Sequence, residues 1–465
     1  MRARAAFPGS GHMIRTHDLD NYPLSCSSVL AIALIHRHVL SGRATTCRRW
    51  CDIALGVPLS PSRSDQKHPV LVIGGGIIGL ATAYRLLETW PGTRVTVLEK
   101  ETVVGSHQSG HNSGVLHAGL AYLPGSRKAR LATAGIRLMR AFCERHGIAH
   151  DICGKVVVAT SPDELPRLRS AMERGKANGL VGLEWLDAPA LRELEPHARG
   201  IAALRVPEEG IVDYRAVCHA LAAGIVERGG QIRLDSGVCA LRRTGAASTA
   251  GWVAETTSGE IGGSFLVACA GLQSDRVARM AGEHPPVRII PFRGEYYRLR
   301  PERVHLVRQL VYPLPDPAFP FLGVHFTRRV GGGVDCGPNA VLALAREGYD
   351  GRPGISLRDA GSALGYPGLW RFLRRHPGQS WHEVRQSLSR ARFTQALQRL
   401  IPEVRSDDLV PGGAGVRAQA MHPDGTLEHD FIFVNAPASL HVVNAPSPGA
   451  TASLAIAGEI VSQLA

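Results

Sequence analysis

The sequence predicts an α/β fold that begins with a Rossmann-like dinucleotide-binding unit. A short β-branched run, Val70–Ile73, is typical of a parallel strand that is buried on both faces. Gly74, Gly76 and Gly79 follow it in the pattern G-x-G-x-x-G. An amphipathic helix comes next, and then a second strand that ends in Glu99, about 20 residues after the last glycine. These neighbouring features together predict a dinucleotide site.

Each glycine of this pattern has a separate physical role. The first, Gly74, permits a tight turn, and the second, Gly76, lets a pyrophosphate approach the backbone. The third, Gly79, lets the helix pack closely against the strand. The carboxylate of Glu99 can accept hydrogen bonds from ribose hydroxyls. Because FAD and NAD share this unit, the choice between them depends on other parts of the sequence.

Composition sets the broad class of the protein. The 465 residues are 44% hydrophobic and 20% charged, which is enough for a large core and two joined domains. The net charge is +13, but the Lys and Arg residues are scattered, and no Cys/His finger or aromatic RNA-binding signature accompanies them. We therefore expect no nucleic-acid partner. The charge suits an anionic substrate, a dinucleotide or an acidic membrane surface.

The nine cysteines contain no C-x-x-C pair and match neither a zinc site nor a disulfide framework. We therefore expect reduced cysteines, no metal and a cytoplasmic compartment. No apolar run approaches the roughly 20 residues that span a bilayer. Residues 1–66 differ in composition from the rest and are expected to be a disordered extension. A transit peptide and an over-extended translation start are the two interpretations, and we favour the second.

A loop of small residues with three histidines follows Glu99. It covers residues 104–119 and has the sequence VGSHQSGHNSGVLHAG. This loop resembles the flavin-contacting loop of the D-amino-acid oxidase superfamily, and most closely that of the L-2-hydroxyglutarate oxidase/dehydrogenase family. Further segments that resemble the same family are PFRGEY at 291–296, residues 312–327, GPNAV at 337–341, AGVRAQ at 414–419 and NAPSPGAT at 444–451. The resemblance covers residues 68 to 465.

The resemblance implies a discontinuous Rossmann-like FAD-binding domain joined to an α+β substrate domain, as in D-amino-acid oxidase. The FAD-binding domain is expected to comprise 68–119, 206–284 and 406–465, and the substrate domain 120–205 and 285–405. FAD is expected to be bound tightly without a covalent link. The expected cofactor-binding residues are Gly74, Gly76, Ile77, Gly79, Glu99, Lys100, Ser109, Asn112, Ser113, Val238, Gly271, Pro448, Gly449 and Thr451.

The resemblance also implies oxidation of L-2-hydroxyglutarate to 2-oxoglutarate, with hydride transfer to flavin N5 and electrons passed to quinone or oxygen. Such a reaction needs a base for the hydroxyl proton, for which His117 is the first candidate and His325 the reserve. A planar bidentate donor suits the substrate carboxylate, and Arg417 is the best match. The weaker candidates for a second carboxylate are Arg293, Tyr296 and Thr327.

Three alternatives remain open at this point. A related flavoenzyme with the same chemistry acts on another 2-hydroxy acid, an amino acid or glycerol 3-phosphate, and fold alone does not exclude it. A second class is a non-catalytic FAD-binding assembly factor. The third alternative concerns residues 369–375 and 381–400, which are predicted to be helical, basic and studded with apolar residues. They either cover the substrate domain or make a peripheral contact with the inner face of an anionic membrane. The expected partner for the electrons is a quinone or an electron-transfer chain.

Overall fold

The structure is a computed structural model that describes residues 69–245, 251–315, 323–349 and 354–464. The predictions for residues 1–66 lie outside the described residues. The first large sheet has six strands, which are, in spatial order, β20 (Ile432–Ala436), β21 (Ser439–Asn444), β13 (Phe265–Ala268), β1 (Val70–Ile73), β2 (Val95–Leu98) and β9 (Gln231–Arg233). All its neighbours pair in parallel except β20 and β21, which are antiparallel. This arrangement confirms the predicted Rossmann-like α/β unit.

Three helices pack on this sheet and on one another. They are α1 (Ile77–Thr89), α5 (Tyr214–Glu227) and α11 (Ser453–Ser462). Helix α1 lies between the other two, and it is buried on most of its surface because its sequence is almost entirely apolar. The first and last helices of the described chain therefore pack against each other.

The second large sheet has nine strands. They are β18 (Val341–Leu342), β14 (Arg288–Leu299), β17 (Val334–Gly337), β16 (His325–Arg328), β15 (Leu310–Pro313), β5 (Lys155–Ala159), β7 (Ala202–Val206) and β6 (Glu184–Asp187), with β19 (Leu409–Met421) paired along β14. Residues 406–465 are predicted to lie entirely in the FAD-binding domain. In the structure β19 belongs to the nine-stranded sheet, because it pairs with β14 from Leu409 to Met421.

Two three-stranded sheets complete the β-structure. One contains β3 (Val115–Leu116), β8 (Gly210–Val212) and β4 (His150–Asp151), and the other contains β10 (Val238–Thr244), β11 (Gly251–Thr256) and β12 (Gly259–Gly263). In the first of these, β8 is the central strand and pairs antiparallel with both neighbours. This small sheet brings the end of the loop at residues 104–119 next to the strand that starts at Gly210.

The remaining helices lie mainly around the second large sheet. They are α2 (Arg127–Arg145), α3 (Leu165–Ala177), α4 (Ala188–Leu194), α6 (Ser274–Met280), α7 (Leu357–Leu364), α8 (Pro367–Arg375), α9 (Pro377–Ser387) and α10 (Arg390–Gln398), together with the short 3-10 helices Pro162–Glu164, Gly271–Gln273, Pro301–Leu306 and Ser406–Asp408. The basic segments 369–375 and 381–400 are helical as predicted over most of their length, in the three helices α8, α9 and α10. None of the helices within the described ranges has the length and apolar character that a membrane span requires.

Candidate active site

The turn between β1 and α1 requires glycine at two of its three glycine positions. Gly74 has a φ of +104°, and a Cβ there would lie 2.4 Å from the carbonyl oxygen of Cys269. A Cβ on Gly79 would lie 2.0 Å from the carbonyl oxygen of Gly74. At Gly76 a Cβ would contact only Oγ of Ser109, at 3.3 Å. The first and third glycines thus serve the fold, while the space beside the second is left for a ligand.

The N-terminus of α1 is suited to an anion. Its N-cap residue, Gly76, has no side chain that could cap it, and its first turn contains no acidic residue. The backbone N–H of Ile77 donates to Oγ of Ser109 at 2.9 Å, which holds the loop 104–119 against the helix. Within that loop the side chain of Asn112 makes three backbone hydrogen bonds, and Ser113 beside it is half-buried. The remaining amides of the helix end and the helix dipole favour a phosphate here.

Glu99 lies at the end of β2 and is buried. Its carboxylate accepts hydrogen bonds from the backbone N–H groups of Gly75, at 2.6 Å, and Glu101, at 2.9 Å. A carboxylate offers about four acceptor sites, so capacity remains for ribose hydroxyls. Lys100 follows directly, and Val238 begins β10 one residue after a glycine that lies beside the Lys100 side chain. The structure thus brings three of the predicted cofactor-binding residues, Glu99, Lys100 and Val238, to one edge of the sheet.

An ionic cluster lies next to this edge. It contains the carboxylates of Glu101 and Glu347 and the imidazole of His107, whose ligand atoms are close enough together to share a metal ion. The ammonium of Lys100 already contacts this cluster, with Nζ 2.9 Å from Glu347, 2.8 Å from Nε2 of His107 and a closer contact to Glu101. The positive charge of Lys100 therefore compensates the negative charges of the two carboxylates.

The segment that leads into α11 is held tightly. A Cβ on Gly449 would lie 2.7 Å from the carbonyl oxygen of Ala445, and the carbonyl of Pro448 accepts from a backbone N–H one turn later. Thr451 is buried, and its hydroxyl lies 2.7 Å from the hydroxyl of Tyr214. Gly271, the remaining predicted cofactor contact, begins the 3-10 helix after β13 with a φ of +51°. These residues serve the local fold, and their contact with a cofactor stays a prediction.

His117 stands directly after β3, opposite Glu209, which stands directly before β8. The register that pairs Leu116 with Gly210 brings the two side chains together, and Nδ1 of His117 lies 3.3 Å from Oε2 of Glu209. The backbone N–H of His117 donates to Oγ1 of Thr451 at 3.2 Å. The histidine is therefore fixed at both its backbone and its ring.

Glu209 is 1% exposed, and it also pairs with Lys155 at the start of β5, with Nζ 2.6 Å from Oε2. Burial alone would raise the pKa of Glu209, but the positive charge of Lys155 and the hydrogen bond from His117 hold its pKa at about 2. The carboxylate is therefore ionised at neutral pH.

His325 lies on the neighbouring strand pair. The register of β15 and β16 places it opposite Tyr312, and the two rings stack with centroids 4.0 Å apart. Nδ1 of His325 lies 3.0 Å from the carbonyl oxygen of Gly323. Since a carbonyl accepts only, Nδ1 carries the proton and Nε2 the lone pair. Burial, together with the positive charge of Arg417, lowers the pKa of His325 to about 3. This imidazole is neutral at physiological pH.

Two further predicted residues face the same region. Thr327 is 1% exposed, and its hydroxyl lies 3.4 Å from that of Tyr312. Burial raises the pKa of Tyr296 on β14, and the positive charge of the nearby Arg417 opposes that increase. The ring of His117 lies 6.5 Å from the ring of Tyr312. Tyr312 is thus the centre of a group that contains both candidate histidines.

Arg417 lies in the middle of β19, where it pairs with Phe292. Successive side chains of a strand alternate between faces, so Arg417 and Tyr296 lie on one face of the ribbon. Gly415 lies between them, and a Cβ there would be 4.0 Å from the Tyr296 ring. Within the described ranges Arg417 makes no hydrogen bond or ion pair, and it is half-buried. A half-buried guanidinium without a protein partner is suited to an anionic ligand.

Arg293 lies on the opposite face of that ribbon. It pairs with Val416, its Nη1 donates to the carbonyl of Gly348 at 2.6 Å, and its Nε lies 3.5 Å from a carboxylate oxygen of Glu295. The structure therefore brings together five of the six predicted catalytic and substrate-binding residues and leaves Arg293 apart. The five are His117, Arg417, His325, Tyr296 and Thr327.

A family model described as FAD dependent oxidoreductase matches residues 69–464, which is most of the chain. The chain belongs to this FAD-dependent oxidoreductase family. FAD is therefore its cofactor, and the predicted fold class is confirmed. The open space at Gly76, the N-terminal end of α1 and the free acceptor sites of Glu99 fit the pyrophosphate and ribose of that cofactor.

Several characterised proteins are similar to this oxidoreductase over most of its length. L-2-hydroxyglutarate dehydrogenase of Escherichia coli is 46% identical over 398 residues, which cover 85% of this chain and 93% of the relative. The mitochondrial L-2-hydroxyglutarate dehydrogenases of Caenorhabditis elegans and Homo sapiens are 43% and 40% identical, covering 88% and 89% of this chain and 96% and 93% of theirs. The family resemblance found in the sequence is thereby confirmed.

Solved structures show the same fold at lower identity. The L-α-glycerophosphate oxidase of Mycoplasma pneumoniae aligns with a TM-score of 0.69 at 21% identity, covering 85% of this chain and 94% of that protein. Glycine oxidase of Geobacillus kaustophilus aligns with a TM-score of 0.63 at 19% identity, with coverages of 85% and 94%. At such identities the likeness shows the fold alone.

Three residues of the site were missed by sequence reasoning: Glu209, Lys155 and Tyr312. A signal for two of them was present, because Lys155 begins an apolar run that continues as VVVA and Glu209 precedes the run GIV. Charged residues at the ends of buried strands need partners, so they should have been considered together. Tyr312 gave no comparable signal, since a tyrosine in a buried strand is most often a packing residue.

Proposed function

We propose that this FAD-dependent oxidoreductase oxidises L-2-hydroxyglutarate to 2-oxoglutarate. The observation that carries the proposal is Arg417, whose guanidinium has no hydrogen-bond or ion-pair partner among the described residues. It lies on the same sheet as His325, and its positive charge helps to lower the pKa of that histidine. A site with one free arginine and nearby imidazoles suits a substrate that has a carboxylate beside a hydroxyl. The names of the relatives at 40–46% identity give the substrate.

In the proposed mechanism Arg417 binds the C1 carboxylate with both of its terminal nitrogens, which fixes the C2 carbon in position. His117 accepts the proton of the C2 hydroxyl on Nε2, since Nδ1 faces Glu209. When bound, FAD supplies the flavin N5 that accepts the hydride from C2. Loss of the proton and the hydride converts the C2 alcohol into the ketone of 2-oxoglutarate.

His325 has a different role from His117 in this proposal. With its pKa lowered to about 3 by burial, it is too weak a base to take the hydroxyl proton at neutral pH. It stays neutral and presents the lone pair of Nε2. The hydroxyls of Tyr296 and Thr327 are the better candidates for the C5 carboxylate, because Arg293 lies on the other face of the ribbon.

An anaerobic substrate panel tests this function. The purified enzyme with bound FAD is mixed with L-2-hydroxyglutarate, and the visible absorbance of the flavin is recorded. We expect bleaching by L-2-hydroxyglutarate that is far faster than by glycerol 3-phosphate or by amino acids. Faster bleaching by one of those compounds would assign the site to a related reaction. A flavin that is inert to the whole panel would identify a non-catalytic FAD-binding protein.

We assign the six-stranded sheet and the helices on it to FAD binding, and the nine-stranded sheet to substrate binding. This assignment follows the predicted domains except at β19, which carries Arg417 and lies in the second sheet. The substrate would then meet the cofactor where the loop 104–119 approaches β19. In support of this, a Cβ on Gly415 would lie 2.6 Å from the carbonyl oxygen of His111 in that loop.

The electron acceptor in our proposal is a quinone or oxygen, and one surface favours a quinone held in a membrane. Several exposed apolar side chains lie on or next to α8 and α9, where Trp370 is 50%, Trp381 57% and Leu388 82% exposed. Trp381 and Val384 on α9 and Leu388, the residue that follows it, recur at helical spacing on one exposed stripe. We call this surface the basic helical face. Its members are Trp370, Arg371, Arg374, Arg375, Trp381, Val384, Arg385 and Leu388.

The charges of this face complement an anionic lipid surface. Residues 357–398 contain only two acids, Asp359 and Glu383, and both are engaged by other parts of the protein. Asp359 pairs with Arg276 at 2.6 Å, and Glu383 accepts from the backbone N–H of Ala340 at 2.7 Å. The arginines of the face are exposed beside its two tryptophans, a combination typical of interfacial helices. We therefore propose a peripheral contact with the inner, anionic face of a membrane.

A further inference from the structure

The contact between His117 and Glu209 belongs to a buried group that no predicted role explains. One oxygen of the Glu209 carboxylate accepts from the backbone N–H of Ala118 at 3.2 Å. The other lies 3.3 Å from Nδ1 of His117 and 2.6 Å from Nζ of Lys155. The side chain of Lys155 is 8% exposed, and that of Glu209 is 1% exposed. Burying two charges this completely costs free energy, which close pairing and hydrogen bonds only partly offset. Such a pair therefore calls for an explanation.

The ionised Glu209 has a direct consequence for the imidazole. A carboxylate can only accept hydrogen bonds, so the neutral form of His117 must carry its proton on Nδ1. Nε2 then holds the lone pair. Nε2 has no hydrogen-bond partner among the described residues, and the ring of Tyr312 lies 6.5 Å from the His117 ring. Lys155 keeps the carboxylate ionised and also lies over the Tyr312 ring, 5.2 Å from its centroid.

We propose that Glu209, held by Lys155, is a positioning residue that fixes the tautomer and ring orientation of His117. The proposal rests on the proposed function, in which Nε2 of His117 takes the hydroxyl proton. Nδ1–H donates to Glu209, the lone pair of Nε2 faces the substrate, and the carboxylate stabilises the imidazolium that forms as the proton arrives. The base, its orienting carboxylate and the anchoring lysine come from β3, β8 and β5.

The competing explanation is that Glu209 and Lys155 only hold β8 to β5. That explanation also accounts for their burial, and Gly154 beside them already joins the strands through a backbone hydrogen bond to Glu209 at 2.9 Å. A purely structural pair would leave the histidine tautomer and the pH profile of the reaction unchanged, provided that the protein folds. These two properties therefore decide between the explanations.

The first measurement is the tautomer of His117 in the FAD-loaded protein without substrate. Nitrogen NMR of the histidine side chains, with His117→Gln for assignment, distinguishes the Nδ1–H form from the Nε2–H form. We expect the Nδ1–H form at a pH where His117 is neutral. Observation of the Nε2–H form would overturn the proposal. This result does not depend on any substrate, so it stands even if the proposed function fails.

The second measurement compares two double variants that avoid an unpaired buried charge. Lys155→Met with Glu209→Gln keeps a hydrogen-bond acceptor for Nδ1 but removes the charge, whereas Lys155→Met with Glu209→Leu removes both. We expect the leucine variant to reduce its flavin on the order of 10²-fold more slowly at saturating L-2-hydroxyglutarate, with little change in substrate affinity. The glutamine variant should recover part of the rate.

The pH profile separates the loss of charge from the loss of orientation. In the glutamine variant no anion stabilises the protonated imidazole, so the acidic limb of flavin reduction should move to lower pH. Bound FAD per protein serves as the check on folding for both variants. Wild-type rates with an unshifted acidic limb in both would overturn the proposal. If either variant fails to bind FAD, the tautomer of His117 in the wild-type protein still tests the proposal, because the Nε2–H form would overturn it.

Discussion

The imidazole of His325 stacks on the ring of Tyr312 with centroids 4.0 Å apart, and the same tyrosine lies edge-on to His117. Two histidines thus share one aromatic neighbour but differ in surroundings. His325 is enclosed and its pKa is lowered to about 3, whereas His117 contacts the ionised carboxylate of Glu209. This difference separates their roles and leads to the first prediction.

His117→Ala should slow flavin reduction by about 10² to 10⁴ at saturating L-2-hydroxyglutarate, because the hydroxyl proton then lacks its acceptor. FAD and a product-like dicarboxylate should bind nearly as well as before. In His325→Gln the acidic limb of the pH profile should persist, since an imidazole with a pKa of about 3 does not titrate there. Anaerobic stopped-flow absorbance measures both. If the flavin of His117→Ala is reduced at the wild-type rate, His117 is not the base and His325 becomes the next candidate.

Arg417→Lys should weaken both substrate binding and the rate of flavin reduction. Lysine keeps the charge but loses the planar fork, so the C1 carboxylate is no longer held in one orientation. The resulting misalignment of C2 should slow flavin reduction on the order of 10²-fold. Arg293→Lys is the matched control on the opposite face of the same ribbon. Its substrate dependence should stay close to that of the wild type. Equal losses in the two variants would refute the assignment of Arg417.

Gly76→Val should yield a folded protein without FAD. Its Cβ meets only a serine hydroxyl, but the larger side chain fills the space through which the pyrophosphate reaches the backbone. Gly79→Ala should instead fail to fold, because its Cβ would lie 2.0 Å from a backbone oxygen. Gly458→Ala, with nothing within 4 Å of its Cβ, is the neutral control. Circular dichroism and flavin absorbance per protein compare the three. Full flavin absorbance per protein in the Gly76→Val variant would contradict the proposed pyrophosphate site.

The basic helical face should bind vesicles that contain phosphatidylglycerol and not vesicles of phosphatidylcholine alone. Replacing Trp370 and Trp381 together by Ser should abolish co-sedimentation while leaving flavin reduction by substrate unchanged. Trp185→Ser is the control, since that tryptophan is 36% exposed elsewhere on the protein. High salt should also weaken binding, because part of the attraction is electrostatic. Equal binding by the variant and the wild type would rule out this face as the contact.

The cofactor turn was predictable because its parts are contiguous: the glycines, the strands and Glu99 lie within about 30 residues, as is usual for this unit. The substrate side was harder to predict, since it depends on register between distant strands. The pairing of β14 with β19 places Arg293 and Arg417 on opposite faces of the ribbon. No local sequence pattern reveals that pairing. The role of Glu209 likewise requires β3, β8 and β5 to meet.

The most direct test of the central claim is the anaerobic reduction of the bound flavin by a single equivalent of L-2-hydroxyglutarate, measured with and without deuterium at C2. Hydride transfer from C2 predicts complete bleaching, one equivalent of 2-oxoglutarate and slower reduction by the deuterated substrate. A flavin that stays oxidised, or bleaching without formation of 2-oxoglutarate, would contradict the proposed function.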